Sequence, residues 1–103
     1  MSVAEAIALA LAVRATSLDE GVLTQLLMEL EGRIELELHE KESFAGSIQL
    51  SVPLPWSRVY WTYLVAMIDL AAGDMTLYER SHALFRSAFD AYARYLQRTG
   101  ARS

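Results

Sequence analysis

The chain has 103 residues, of which 53% are hydrophobic and 21% charged, with a formal net charge of −4 and no cysteine. That length holds a single domain, 1–103, because domains cluster near ~100–150 residues, and it excludes a two-domain cofactor enzyme. The missing cysteines exclude a disulfide scaffold, thiolate zinc sites and thiol catalysis, and the acidic balance argues against a generic nucleic-acid binder.

The charge is unevenly spread. Residues 1–50 carry a net −6 and residues 51–103 a net +2. Opposite signs of this kind orient head-to-tail neighbours; the alternative is an ordinary solvated surface, since exposed ion pairs are worth only ~0–1 kcal/mol each. The first helix is expected over Ser2 to Arg14, with Ser2 and Glu5 in a capping-box pattern. Its opening lacks the basic start of a signal peptide and carries Glu5 instead. The apolar run Ala6 to Val13 is also far short of the ~20 residues that span a bilayer. Val3, Ile7, Ala10 and Leu11 share one face, with Leu9 and Val13 nearby, and a helix apolar nearly all round is usually covered on more than one side.

After a link at Ala15 to Leu18, Ser17 or Asp19 caps a second helix. Leu23, Leu26, Leu27, Leu30, Ile34 and Leu38 follow its amphipathic spacing, and it ends near His39–Lys41. Glu29, Glu31, Glu35, Glu40 and Glu42 are expected on the opposite, solvated side. Glu42 to Leu54 is non-helical. Within it Ile48, Leu50 and Val52 alternate with polar residues in the period of a short half-buried strand. That stretch is either an extended loop packed on the helices or a strand that pairs with another copy. Pro53 and Pro55 announce a third helix, from Pro55 or Trp56 to Ala72. Gly73 stops it, and a tight turn at Gly73–Asp74 leads into a fourth helix, Met75 to Arg98, with a buried stripe of Leu77, Ser81, Leu84, Phe85, Ala88, Tyr92, Tyr95 and Leu96. The expected fold is all-α: a four-helix, bundle-like domain with a long C-terminal helical hairpin and one extended loop between helices 2 and 3.

No catalytic constellation stands out, and no metal or cofactor is implied. His39 and His82 have no metal-ligand spacing, and His39 suits a favourable contact with a helix C-terminus. Asp69 is the odd charge, set among Met67, Ile68, Leu70 and Ala71. Buried there, it needs an arginine or a hydroxyl as partner and a structural role at the helix 3–4 corner. Trp56, Trp61, Tyr78 and Phe89 exceed what one small core needs. Interleaved with Arg80, Arg86 and Arg94, they are the expected subunit or partner interface.

The stretch LMELEGRIELELHE, a variable loop, and then LSVPLPWSRVYWTYLVAMIDLAAGDMTLYERSHALFRSAFDAYARYLQRTG form an ordered series. Its elements are Leu27–Ile34, Val52–Pro55, Ala66–Asp74, Tyr78, Ser81–Tyr95 and Arg98–Thr99. This series resembles the small head–tail connector (adaptor, or head-completion) proteins of tailed phages and prophages, over roughly residues 26–99. The loop at Glu42–Ser47 is shorter than in that family, and Glu79–Arg80 replaces its Asn-rich turn. The resemblance implies a non-enzymatic virion protein, made in the bacterial host cytoplasm, whose copies form a ring of about a dozen beneath the portal. That ring would extend the DNA channel, with DNA as passing cargo, and would dock a tail-side connector; no membrane is involved. On this reading Glu31 and Glu35 face the channel, the arginine and aromatic surface meets neighbours or the portal protein, and Ile48, Leu50 and Val52 pair with a neighbour's strand. The alternative is a small helical, dimeric protein-binding or regulatory module.

Overall fold

The computed structural model describes residues 1–42 and 49–100. Helix α1 runs Val3–Val13. Its capping box is complete: the Glu5 N–H donates to Ser2 Oγ (3.1 Å) and the Ser2 N–H donates to the Glu5 carboxylate (2.8 Å). Helix α2, Glu20–Arg33, starts from Asp19, whose carboxylate accepts the Val22 N–H at 2.9 Å. It continues as a π-helical segment, Ile34–Leu38, closed by the His39 N–H on the Ile34 carbonyl at 3.0 Å. The chain then leaves through Glu40 in the left-handed region (φ 57°), and the Lys41 N–H returns to the Glu35 carbonyl at 2.9 Å.

Helix α3 spans Arg58–Ala71, beginning later than the Pro55 or Trp56 start read from the prolines. A turn intervenes after the cis Leu54–Pro55 bond, with the Trp56 N–H donating to the Pro53 carbonyl at 2.9 Å. Gly73, at φ 75°, makes the corner into α4, Met75–Thr99, capped by Asp74 on the Leu77 N–H. That left-handed corner suits glycine, which has no Cβ to clash. Among the described residues the fold is all-α, with four helices, the C-terminal one long. α3 packs against α1, α2 and α4, and its Val59, Tyr60, Leu64, Val65 and Ile68 are buried. In α4, Phe89 belongs to the buried stripe, whereas Leu84, expected there, is 54% exposed.

The loop between α2 and α3 finds its partners inside the chain. Gln49 forms an antiparallel bridge with Ser2. The Leu50 N–H donates to the Met1 carbonyl (3.0 Å), the Ser51 N–H to Glu31 (2.7 Å) and the Val52 N–H to the Tyr60 hydroxyl (2.9 Å). Leu50 and Val52 turn their side chains into the core. This corrects the expectation that Leu50 and Val52 pair with a neighbouring copy, because three consecutive donors are already committed; Ile48 lies outside the described residues.

Candidate functional site

The second correction concerns helix 2. Glu31 and Glu35 are not on a solvated face: they are 1% and 4% exposed. Both lie on the flank of the apolar stripe, and the 49–53 loop folds back over that flank, bringing N–H donors with it. Glu31 accepts the Tyr60 O–H at 2.6 Å and the Ser51 N–H at 2.7 Å. Burial, reinforced by the Glu31 carboxylate, pushes the Tyr60 hydroxyl far above its usual pKa, so it stays a donor. Neither glutamate can line a channel from this position.

One turn on, Glu35 sits 3.2 Å from His39 Nδ1 and 2.8 Å from Lys41 Nζ. His39 Nε2 lies 2.6 Å from the Tyr92 hydroxyl. Burial, then the Glu35 charge, pushes Tyr92 up to about 12. The consistent proton arrangement has the Tyr92 O–H donating to Nε2 and the Nδ1–H donating to Glu35. Burial alone would raise the Glu35 pKa; hydrogen bonds from Lys41, Ser51 and His39 outweigh it and hold the carboxyl below its ordinary value. His39 is therefore a link in a buried row rather than a surface charge at a helix end. Glu35, His39, Lys41 and Tyr92 line a shallow cleft of about 360 Å³. Tyr92 thus ties α4 to His39 at the end of the π-helical segment, and the ionised Glu35 holds Lys41 and the loop at Ser51.

Asp69 is 1% exposed. It receives Arg14 Nε at 2.8 Å and Nη2 at 3.4 Å, and its second oxygen also accepts the Ser81 hydroxyl at 2.8 Å. One carboxylate thus ties the end of α1 to the α3–α4 corner. Among the described residues no group of three or more His, Asp or Glu side chains is arranged to hold a metal ion, and no helix is long and apolar enough to cross a membrane.

The expected interface residues divide between two sides of α4. Phe89 is buried at 8% exposure, beneath the guanidinium groups of Arg33 (5.3 Å) and Arg86 (5.4 Å). Arg86 in turn pairs with Asp90. Phe89 is thus a core residue that faces α2, which corrects its expected place at an interface. Tyr78 is half-buried against His82, and Arg94 is exposed. Trp56 is half-buried, stacked on Tyr95 with centroids 4.9 Å apart, and Trp61 is half-buried against the core. The two tryptophans border two adjoining grooves. One, of about 350 Å³, lies between the start of α3 and α4 and includes Arg58. The other, of about 230 Å³, lies between Val13, Trp61, Leu77 and Arg80. Leu84 lines both.

No family model matches the chain, no curated protein matches it, and no solved structure matches it. The residues that sequence reasoning missed are Leu84 and the outward side of α1. Leu84 followed the buried periodicity yet faces outward. On α1 the signal was present, in a helix with too few polar residues to face water, but nothing in the pattern said which side would stay open.

Proposed function

We propose that this chain is a virion structural protein of a phage or prophage: a head–tail connector whose copies form a ring under the portal and extend the DNA channel. The observation that carries the reading is the outward face of α1. Leu9 and Leu11 are 43% and 38% exposed, and the single charged side chain of the helix, Glu5, is occupied in the cap. An apolar face of this kind is a docking surface. The ordered motif series, which resembles that of connectors, supports the class. Assembly is the role of this protein on this reading, with the portal protein and a tail-side connector as partners, DNA as passing cargo, no cofactor and no reaction of its own. The place of action is the virion, after synthesis in the host cytoplasm.

Sedimentation velocity across a wide concentration range, followed by electron microscopy, tests it. The expected outcome is a ladder of species leading to rings of about a dozen copies. A stable dimer that never grows refutes the connector and leaves a small dimeric binding module in its place.

A further inference from the structure

The outward face of α1 and the grooves beside α4 carry opposite charge. The face presents Ala4, Ala8, Leu9, Leu11 and Ala12, all exposed. It adjoins the start of α2, where Glu20 lines a groove of about 490 Å³ with Ala4, Ala8 and Leu11. Glu20 has no ion pair among the described residues. The paired grooves centred on Leu84, one of which the end of α1 borders through Val13 and Arg14, include Arg58 and Arg80, which also have no ion pair among the described residues. Three other arginines, Arg14, Arg33 and Arg86, are all engaged with carboxylates. Of the charged side chains that line these two surfaces, the cations without an ion pair stand at one and the acid without one at the other.

We infer that a second copy of this chain docks head to tail, with the α1 face of one copy laid into the Leu84-centred grooves of the next. A two-fold dimer needs one patch that is complementary to itself, whereas two surfaces of opposite sign complement each other and generate an open or closed chain. Small alanine side chains on α1 let the helix approach closely, and Leu9 and Leu11 supply apolar bulk for grooves bordered by Trp56 and Trp61. Charged rims around an apolar contact set direction and encounter rate more than affinity. This inference rests on the connector reading for closure into a ring, but the junction is testable without one.

Two variants of the full chain separate the surfaces. Ala8→Arg places a cation on the α1 face, against the arginines of the groove, and Leu84→Arg places one inside the groove. Both positions are exposed, so circular dichroism and melting temperature stay at the wild-type values. By sedimentation velocity the wild type grows past dimer, and each variant alone is monomeric, its association weakened on the order of 30-fold or more. An equimolar mixture forms a 1:1 dimer that grows no further, because exactly one intact junction can form between the two variants. A mixture that stays monomeric, or a wild type that stops at dimer or monomer, overturns the inference. So does either variant assembling as the wild type does; rings of wild-type appearance from that variant would remove this junction while leaving the connector reading standing. Ala4→Arg and Ser87→Arg, on the same two surfaces, repeat the test independently of either original side chain.

Discussion

The Glu31–Tyr60 pair fastens the α2–α3 loop, and its strength follows from its geometry. Glu31→Gln keeps the shape but replaces one acceptor oxygen with an amide group. Either the Ser51 N–H or the Tyr60 O–H then faces a donor. Hydrogen bonds to a charged acceptor are worth about 1.5–3 kcal/mol, so the expected loss is about 2–3 kcal/mol. Tyr60→Phe removes the hydroxyl that donates to Glu31 at 2.6 Å and accepts from Val52 at 2.9 Å. It leaves a buried carboxylate oxygen and a buried N–H unpaired, and the expected loss is about 3–4 kcal/mol. The double variant should lose less than the sum, with a coupling of about 1–3 kcal/mol, since both changes break one shared bond. Urea unfolding followed by circular dichroism at neutral pH measures all three, with the m-value unchanged. Against a whole-domain stability of about 5–15 kcal/mol these are large effects. Losses below about 0.5 kcal/mol for either single variant, or strict additivity, would refute the reasoning.

Three further outcomes are expected. The Glu35 carboxyl is held below its ordinary value of 4.5, so the unfolded chain takes up its proton first on acidification. The stability it contributes is present above about pH 4.5 and is lost as pH falls through the folded-state value; denaturant titrations from pH 7 to pH 3 should show Glu35→Gln flattening that part of the profile. Asp69→Asn removes the charge that Arg14 and Ser81 share. Because Arg14 can turn to solvent, the loss is about 2 kcal/mol, below the ~3–5 kcal/mol of a fully buried pair, while Arg14→Lys loses about 1 kcal/mol through the forfeited two-point contact; thermal or urea melts decide both. Gly73→Ala, at φ 75° with open space around the added Cβ, should cost about 1 kcal/mol from the backbone alone, visible as a lower midpoint with no change in circular dichroism.

The helices were legible because their signals are local. Ser2 with Glu5, Asp19, Asp74, Gly73 and Gly100 each act within one turn of the residue they cap, and the structure uses all of them. Asp69 was legible as a charge in need of a partner, since its neighbours in sequence are apolar, but Arg14 as that partner was not, because the two are 55 positions apart. Glu31 and Glu35 were misplaced for a related reason. Helical periodicity says which residues flank the apolar stripe but not what lies over the flank. Here the cover is the loop between α2 and α3, and its backbone donors turn two acids from surface charges into buried acceptors. The same loop hid its own pairing, because its partner is Met1–Ser2 at the far end of the sequence.

Burial of these acids changes what the charge asymmetry means. Much of the negative charge of the first half is committed to holding the fold: Glu31 and Glu35 to the loop, and Glu5 and Asp19 to helix N-termini, where carboxylates also meet the favourable end of the helix dipole. On the positive side Arg14 is committed to Asp69, Arg33 to Glu37 and Arg86 to Asp90. The surface field therefore comes from the remainder, and at the two apolar surfaces that remainder is Glu20 on one and Arg58 with Arg80 on the other. A raw count of acids along α2 pointed to a repulsive channel wall. Subtracting the charges that the fold has already paired points instead to the outer face of α1 and the groove beside Leu84, where apolar area supplies the attraction and a few unpaired charges fix its direction.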